Sequence, residues 1–251
     1  MLRFGALAMP AAKKDVILPE APPARSVYDA GCRRCARLAA FLDDVRTGHP
    51  GYFCAPVPPF GDPAARLLIV GLAPGMHGAN ASGRPFTGDH AGILLYATLH
   101  AFGYASRADA VARDDGLVLA GCRITNAVKC LPPQNKPAPA EVRQCNDYLA
   151  ADLAAVPAGG AVLALGRIAH DAVLRALGCR PAGFPFAHGR GHALPGDRVL
   201  FDSYHCSRYN TNTRRLTPAM FEAVFAAIAA HLRTAPAERP RVPSPPTAQL
   251  R

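Results

Sequence analysis

The 251-residue sequence has no apolar run long enough to cross a bilayer, since a membrane-spanning helix needs about 20 consecutive apolar residues. Residues 1–14 lack the long apolar core and the clean cleavage site of a secretory signal peptide. No internal repeat is visible along the chain. These absences argue against a membrane protein, a secreted protein and a solenoid, and they predict an intracellular, cytoplasmic protein.

Acidic residues are scarce: 18 Asp and Glu stand against 28 Lys and Arg, which gives a formal net charge of +10 and a sequence pI of about 9.5. Such a balance suits a polyanionic partner, because Lys and Arg that neutralise phosphates release counterions. A coding bias toward arginine would give the same balance, so the charge is compatible with a nucleic-acid partner and indicates no more. Half of the residues are hydrophobic, which predicts a packed globular domain.

Proline marks both ends of the chain. Four prolines fall within residues 1–25, and residues 235–251 read APAERPRVPSPPTAQLR, a composition that cannot hold a helix or a central strand. We therefore predict a flexible N-terminal segment over residues 1–25, one folded domain over 26–234 and a Pro-rich disordered tail over 235–251.

Short apolar runs alternate with helical patterns inside the predicted domain. Strands are predicted at 67–70, 123–128, 161–165 and 198–205, and helices at 91–103, 139–156, 167–178 and from Thr217 onward. This alternation predicts an α/β protein, a three-layer α/β/α architecture with a mainly parallel central four-stranded sheet. Ligands of such sheets bind beyond the carboxyl ends of the strands, so we expect a site among the loops at 71–90, at 129–136, after Leu165 and after Tyr204.

Four of the eight cysteines have the spacing of metal ligands. Cys32 and Cys35 form a C-x-x-C pair, and Cys130 and Cys145 follow with fourteen residues between them. Four thiolates match either a structural zinc or an iron–sulfur cluster. The wide second pair, with one member in a predicted helix, is unusual for a zinc ribbon, and ordinary buried cysteines are an alternative of about equal weight. The remaining cysteines (Cys54, Cys122, Cys179 and Cys206) have no partner at such spacing.

Residues 71–89, GLAPGMHGANASGRPFTGD, form the most specific stretch of the sequence. Its glycines allow the backbone to approach a ligand closely. Its polar side chains and one aromatic ring are supplied by His77, Asn80, Arg84, Phe86 and Asp89. A glycine-rich loop is often only a turn, but the density of polar groups beyond a strand end predicts a binding site.

Three further segments accompany this loop: TNAVKCLPP at 125–133, ALGRIAH at 164–170 and SYHCSRYNTNTRRLTP at 203–218. Together the four segments resemble the uracil-DNA glycosylase superfamily, and most closely its family 5, the iron–sulfur branch called type b, across roughly residues 26–234. Residues 76–78 (Met-His-Gly) stand where the sister family 4 carries acidic residues, which favours family 5. The resemblance implies the glycosylase-like α/β/α fold and a 4Fe–4S cluster held by Cys32, Cys35, Cys130 and Cys145.

The resemblance also implies an activity: a monofunctional DNA-repair hydrolase that flips uracil, or another deaminated or modified base, out of DNA and cuts its N-glycosidic bond. The base pocket it implies comprises Gly71, Leu72, Ala73, Gly75, Phe86, Asn126 and His205. Phe86 would stack on the flipped base and Asn126 would read its edge, since an amide can accept from uracil N3–H and donate to O4. His205 would donate a hydrogen bond to O2 as negative charge develops on the leaving base. By itself, Asn126 is equally well explained as a strand-end asparagine that caps backbone. His205 could be a structural strand-end histidine, but the run of Ser, Arg, Asn and Thr after it favours a site.

Two positions of the first motif bear on catalysis and substrate range. Ala73 stands where many members of the superfamily carry a carboxylate or an asparagine, so the attacking water needs another partner. Asn80 is the predicted partner, with Asp89 and His77 as alternatives. Gly75 stands where some relatives carry a bulky aromatic residue, which predicts tolerance of larger bases such as 5-hydroxymethyluracil, ethenocytosine or deaminated purines.

The expected partner is DNA, as a damaged duplex or a single strand, bound by a monomer that associates with the nucleoid through it. Arg208 or Tyr209 would fill the gap left by the flipped base, and Asn210 and Asn212 would contact phosphates. Further predicted DNA contacts are the backbone at Gly166 and Arg167, at a helix start, and the side chains of Lys129 and Lys136.

Three alternatives remain open. A family 4-like glycosylase restricted to uracil would share the cysteines. A non-catalytic iron–sulfur or zinc module that binds nucleic acid would explain the charge and the cysteines, but it leaves Phe86, Asn126 and His205 without a role. An electron-transfer protein would explain the cluster alone.

Overall fold

The computed structural model of the chain describes residues 28–235. The predicted flexible segment 1–25 lies outside the described residues, as do residues 236–251 of the predicted tail and the first two residues of the predicted domain. Within the described part, no helix is long and apolar enough to cross a membrane.

One six-stranded sheet forms the centre of the fold, in the order β1-β3-β2-β4-β6-β5. The strands are β1 Phe60–Gly61, β2 Leu67–Gly71, β3 Cys122–Asn126, β4 Ala161–Leu165, β5 Gly191–Leu194 and β6 Arg198–Ser203. β2, β3, β4 and β6 are parallel, which confirms the predicted four-stranded parallel core. β1 and β5 pair antiparallel at the two edges, and the prediction missed both. β1 has only two residues, and β5 alternates exposed and buried positions instead of forming an apolar run.

Helices cover both faces of the sheet. They are α1 Ala36–Gly48, α2 Ala79–Ser82, α3 His90–Ala101, α4 Pro139–Ala154, α5 Arg167–Ala176, α6 Arg208–Asn212 and α7 Pro218–Thr234. One hydrophobic core joins α1, α4 and α5 to the sheet, and the other joins α3 and α7 to the opposite face. Alternate residues of β2 enter the two cores, as the pleat of a strand buried on both faces requires. The three-layer α/β/α prediction is thus confirmed.

Three helices lie where none was predicted: α1, α6 and the four-residue α2 within the predicted loop 71–90. α1 follows the C-x-x-C pair directly, and Cys35 is its N-cap residue. α6 lies in the segment after His205 that was predicted to be a loop. It begins because the Ser207 side chain accepts a hydrogen bond from the backbone N–H of Asn210, the usual role of serine at a helix N-terminus. α7 begins as predicted, with the Thr217 side chain accepting from the N–H of Met220.

Candidate active site

A cleft of about 420 Å³ opens beyond the carboxyl ends of β2, β3 and β6. Six of the seven residues predicted for the base pocket line it: Leu72, Ala73, Gly75, Phe86, Asn126 and His205. Six residues outside that set complete the lining: Asp89, His90, Ala91, Asn135, Ser207 and Arg208. The cleft therefore lies where the strand-end rule for parallel sheets places a ligand site.

Gly71 lies behind the cleft wall and allows two side chains of that wall, Asn126 and Phe86, to come together. An ideal Cβ on Gly71 would lie 2.4 Å from Asn126 Oδ1 and 2.6 Å from the tip of the Phe86 ring. Gly71 and Asn126 are also register partners in the β2–β3 pair. A side chain at position 71 would push the amide and the ring out of the cleft, so this glycine is required by a close approach.

Phe86 presents its ring in a constrained backbone conformation. Its φ angle is 57°, in the left-handed region that non-glycine residues rarely adopt. The ring centroid lies 6.1 Å from that of His205, with 30° between the two planes. Strained residues concentrate at functional sites, and this one places an aromatic face opposite the histidine.

Asn126 is almost fully buried at the end of β3. Its Oδ1 atom has no hydrogen-bond partner within residues 28–235. An unpaired buried acceptor costs free energy comparable to a lost hydrogen bond. Because Asn126 also lines the cleft, a bound ligand with an N–H group would satisfy this oxygen.

His205 is half-buried in the cleft wall, two residues beyond the end of β6. Burial lowers the pKa of its imidazole to about 4, so the ring is neutral at pH 7 and carries one N–H donor. The side-chain amide of Asn210 donates to the His205 carbonyl oxygen at 2.8 Å. Asn210 therefore braces the histidine from α6, in addition to any contact it makes with phosphate.

Asn80, the residue predicted to hold the attacking water, does not line the cleft. It is completely buried, and its Nδ2 donates toward Cys54 Sγ at 3.5 Å. His77 is exposed and hydrogen-bonded to the Tyr52 hydroxyl at 2.9 Å, also away from the cleft lining. The geometry thus gives no support to His77 as a water partner. Asn80 Oδ1 has no hydrogen-bond partner within residues 28–235 but lies away from the cleft lining, so the Asn80 role stays a prediction.

Asp89 is the carboxylate of the cleft. It occupies the N-cap position of α3 but makes no capping bond there. Instead its Oδ2 accepts from the Ala79 N–H at 3.0 Å. Burial raises the pKa of the Asp89 carboxyl above its usual range, against the opposing effect of hydrogen bonds from the Ala79 and Gly75 N–H groups. The result is a proton acceptor in the cleft with an elevated basicity.

The same carboxylate explains two glycines of the first motif. Asp89 Oδ1 would lie 2.2 Å from an ideal Cβ on Gly75 and 2.1 Å from one on Gly78. Real Cβ contacts are never that short, so both positions must be glycine for the carboxylate to lie there. The space beside Gly75 that the sequence suggested as room for larger bases is therefore partly filled by Asp89.

The residues predicted to contact DNA surround the cleft mouth with different exposures. Tyr209 is 70% exposed and Arg208 lines the cleft. Gly166 is the N-cap residue of α5, and Arg167 projects into solvent with an ion pair to Asp171 at 3.8 Å. Asn212 is exposed at the end of α6. These positions are accessible to a polyanion, as the prediction requires.

Lys129 contradicts its predicted role as a DNA contact. It is 1% exposed, and its Nζ lies 2.8 Å from Asp152 Oδ2 and is hydrogen-bonded to the Thr125 hydroxyl. The sequence suggested an exposed loop lysine, but the segment after β3 packs inward. Lys129 instead joins β3 to α4. Removing one partner of this buried ion pair would leave an uncompensated charge.

The four cysteines with ligand spacing line one cavity between α1, α4 and the segment after β3. Burial, followed by the neighbouring sulfurs of Cys145, Cys32 and Cys35, raises the pKa of Cys130 to about 12. The backbone N–H of Lys129 donates to Cys145 Sγ at 3.3 Å. The remaining cysteines lie elsewhere, and none of the eight forms a disulfide.

An aromatic ring, an unpaired amide and a neutral histidine around one cleft of a three-layer α/β/α protein define a binding site for a flat, hydrogen-bonding ring. Residues 58–229 match the family described as the uracil DNA glycosylase superfamily. The chain belongs to this family.

Curated relatives agree with that assignment. The chain is 48% identical over 196 residues to the type-5 uracil-DNA glycosylase of Thermus thermophilus, which covers 76% of this chain and 89% of the relative. It is 44% identical over 190 residues to the type-5 enzyme of Pyrobaculum aerophilum, covering 74% of this chain and 82% of the relative. A type-4 uracil-DNA glycosylase of Archaeoglobus fulgidus is 38% identical over a shorter stretch of 139 residues, which covers 55% of this chain and 56% of the relative. The predicted resemblance to family 5 is confirmed.

Proposed function

We propose that this chain is a uracil-DNA glycosylase, a hydrolase that removes uracil from DNA as the first step of base-excision repair. The observation that carries the proposal is the buried, unpaired Oδ1 of Asn126 in a cleft that also holds the Phe86 ring and the neutral His205. A base reaches such a cleft only when it is flipped out of the duplex.

Asn126 selects the base by its hydrogen-bonding edge. Its Oδ1 accepts from uracil N3–H, and its Nδ2 donates to O4. Cytosine presents an acceptor at N3 and a donor at C4, so both contacts would become repulsive. Phe86 stacks on the flat face of the base and contributes affinity that does not depend on the base identity.

His205 stabilises the leaving base. When the bond between the base and C1′ of the sugar breaks, its electron pair stays with the base and negative charge spreads to O2. A neutral imidazole N–H aimed at that oxygen lowers the barrier without transferring its proton. The sugar becomes an oxocarbenium ion, and a water molecule completes the hydrolysis.

Asp89 is the proposed partner of that water, because it is the carboxylate of the cleft lining and burial raises its pKa. Replacing Asp89 with asparagine keeps an acceptor for the Ala79 N–H but removes the proton acceptor. We expect the single-turnover excision rate to fall by about 100-fold, in the range of general-base catalysis. Wild-type rates should fall as pH is lowered through the raised pKa of Asp89, because the carboxylate takes up a proton there, whereas the Asp89→Asn variant should lack this dependence.

Asp62→Asn is the matched control, since Asp62 also accepts two backbone N–H bonds, from Ala64 at 2.8 Å and Gly121 at 3.0 Å, but does not line the cleft. An Asp89→Asn rate equal to that of Asp62→Asn would exclude the Asp89 carboxylate from the reaction. Asn80 would then be favoured as the partner of the water.

A 4Fe–4S cluster is the proposed cofactor, held by Cys32, Cys35, Cys130 and Cys145. A single zinc with bonds of about 2.3 Å brings its four sulfurs to within about 4 Å of one another, whereas no three of these sulfurs lie within 4.8 Å of one another in residues 28–235. The wider spacing and the N–H bond to Cys145 favour a larger centre. When bound, the cluster supplies cross-linking bonds that tie α1 to α4 and to the segment after Asn126.

DNA is held at the cleft mouth by the basic and polar groups around α5 and α6. Arg208 and Tyr209 are the proposed occupants of the gap left by the flipped base, with Gly166, Arg167, Asn210 and Asn212 near the phosphates. The net charge of +10 favours association with either a duplex or a single strand. A monomer bound to the nucleoid is the proposed state.

The deciding experiment is excision from a labelled duplex that holds one uracil opposite guanine, followed by alkaline cleavage of abasic sites. We expect a cut strand that is absent for the undamaged duplex. The same assay with 5-hydroxymethyluracil, ethenocytosine and hypoxanthine measures the proposed wider substrate range, and cutting of uracil alone would favour the restricted, family 4-like alternative. A protein that binds DNA but cuts none of these substrates would overturn the proposed activity.

A further inference from the structure

A buried cluster of three titratable side chains lies outside both the cleft and the cysteine cavity. It consists of His170 on α5, His192 on β5 and Asp202 on β6, each of which is 9% exposed or less. His170 Nδ1 lies 2.6 Å from Asp202 Oδ1, and His192 Nε2 lies 3.0 Å from Asp202 Oδ2. None of the three takes part in the proposed reaction.

Both ring nitrogens of His170 face oxygens. Nδ1 faces the Asp202 carboxylate, and Nε2 lies 2.8 Å from the carbonyl oxygen of Phe184. A neutral imidazole has one N–H and would direct its lone pair at one of these two acceptors. Only an imidazolium donates to both, and the Asp202 carboxylate balances its charge.

The three side chains are also ligand types for a metal ion, but the distances favour hydrogen bonds. Two ligands of a tetrahedral zinc with bonds of 2.0–2.1 Å lie about 3.3 Å apart, whereas the His170 nitrogen and the Asp202 oxygen are 2.6 Å apart. Asp202 Oδ2 already accepts from His192 and from the Ala187 N–H at 3.2 Å. The carboxylate is thus supplied with donors by the protein itself.

The cluster anchors the segment 184–188 against the strand end that carries His205. Phe184 begins this segment and bonds to the cluster through its carbonyl oxygen. His188 ends it, accepts from the backbone N–H of Tyr204 at 3.2 Å and stacks on the Tyr204 ring at 4.9 Å between centroids. Because Tyr204 immediately precedes His205, the position of the cleft histidine depends on this segment.

We propose that His170 is a positioning residue held as an imidazolium, which fixes the 184–188 segment and Asp202 and thereby the placement of His205, so that activity depends on the His170 proton. This inference rests on the proposed glycosylase function for its kinetic consequence, but the protonation state of His170 stands independently of any activity.

The groups around His170 set the direction of its pH dependence. They are Asp202 from β6, His192 from β5, the Phe184 carbonyl and Phe186 ring from the 184–188 segment, and Asp171 from its own helix. Burial lowers the pKa of His170, but the acceptors outweigh burial and raise it above the ordinary value. The contribution of the charged His170 to the stability of the fold is therefore complete below about pH 6.5, the ordinary histidine value. It declines as pH rises and is lost above the folded pKa.

The first measurement is the proton count of His170 by ¹⁵N NMR on the full-length protein, with the signals assigned by their absence in the His170→Gln variant. We expect two protonated ring nitrogens at pH 6 and a deprotonation midpoint above the ordinary histidine value of about 6.5. A ring with one bare nitrogen, or a stoichiometric zinc ion bound at this cluster, would overturn the inference. This readout does not require the protein to be an active glycosylase.

The second measurement is the pH profile of uracil excision by three variants. For His170→Gln we expect kcat to fall by about 10- to 100-fold with KM within about threefold, because a displacement of about 1 Å at a reacting group costs rate more than binding. The wild-type rate should fall as pH rises through the folded pKa of His170, and this alkaline rate loss should be absent in His170→Gln. His192→Gln still offers Asp202 a donor and should keep that loss, and His231→Gln, at the opposite end of the sheet beside Gly160, should match the wild type.

The outcomes separate the two proposals. A wild-type chain that excises no base overturns the proposed function, and the NMR result then decides the imidazolium alone. A His170→Gln variant that keeps both the wild-type kcat and the alkaline rate loss overturns the positioning role.

Discussion

Replacing His205 with alanine is expected to lower kcat for uracil excision by about 100- to 1,000-fold, the loss that follows removal of one preorganised donor from a developing anion. We assign the N–H of this ring the role of donating a hydrogen bond to O2 of the leaving base as negative charge develops there. Because burial lowers the pKa of His205 to about 4, the donor stays neutral throughout the physiological range. Single-turnover kinetics on a duplex with one uracil opposite guanine measure the effect.

The expected loss is confined to chemistry. DNA affinity and the absorbance of the proposed iron–sulfur centre should be unchanged, because His205 does not line the cysteine cavity. His100→Ala is the matched control, since the His100 ring is exposed and bonds to the Ala105 carbonyl at 2.9 Å, outside the cleft. A His205→Ala enzyme with near wild-type kcat would remove the proposed mechanism, whatever its affinity for DNA.

The size of this effect relative to that of Asp89→Asn is informative. If stabilisation of the leaving base dominates, the His205 variant loses more rate than the Asp89 variant. The opposite order would mean that attack of water limits the reaction. In either case the two losses should be less than additive when combined if both residues act on one transition state.

The parallel core of the sheet was predictable because each central strand is buried on both faces and reads as an apolar run, such as Leu67–Val70. The cleft followed from the rule that sites lie beyond the carboxyl ends of such strands. Edge strands escape this reasoning: β5 buries only alternate residues and is four residues long. α1 was detectable, since Leu38, Leu42 and Val45 recur at helical spacing and are buried.

Side-chain direction within a loop was the part that sequence could not supply. Asn80 and Asp89 both lie in the first motif, and spacing alone does not reveal which one faces the cleft. The short α2 turns Asn80 into the interior toward Cys54, whereas Asp89 folds back over Gly75 and Gly78. The pair of glycines was a usable signal, because two positions that tolerate no Cβ often lie beside a third group that fills the space.

Lys129 shows that the sequence alone also does not reveal whether a charged side chain is buried. A lysine between two predicted site residues reads as a surface contact, since buried lysines are rare. Its burial depends on Asp152, which lies one helix later and becomes a neighbour only when α4 packs on the sheet. Such a pairing is a product of tertiary packing and leaves no local trace in the sequence.

Replacing Cys130 with alanine is expected to produce the largest loss of stability of any single substitution discussed for this chain. Loss of a bound metal centre is among the few single changes that cost more than about 4 kcal/mol, because its binding free energy is folding free energy. Cys130 is the proposed ligand nearest in sequence to Asn126, the proposed base-reading residue, and its thiol is almost fully buried. Urea unfolding, iron content and the visible absorbance of the purified protein measure the effect.

Cys179→Ala is the control, because Cys179 lies outside the cysteine cavity and is only partly buried. Its cost should stay below about 1 kcal/mol, as for most substitutions away from special features. If Cys130→Ala is equally mild and the wild-type protein carries no iron, the four cysteines are ordinary core residues.

Metal analysis of the wild type decides between the two remaining centres. About four iron and four sulfide per chain would support the cluster. One zinc would require its sulfurs to lie within about 4 Å of one another, whereas no three of them lie within 4.8 Å in residues 28–235. In either case the proposed centre would join α1 and α4 to the segment that follows Asn126, so its removal should loosen the end of β3 that carries Asn126 before it affects α7 on the opposite face. Hydrogen exchange of the 126–132 backbone and of α7, compared between the wild type and Cys130→Ala, tests that order. Equal loss of protection in these two regions would mean that the centre stabilises the whole fold and does not act specifically on the active site.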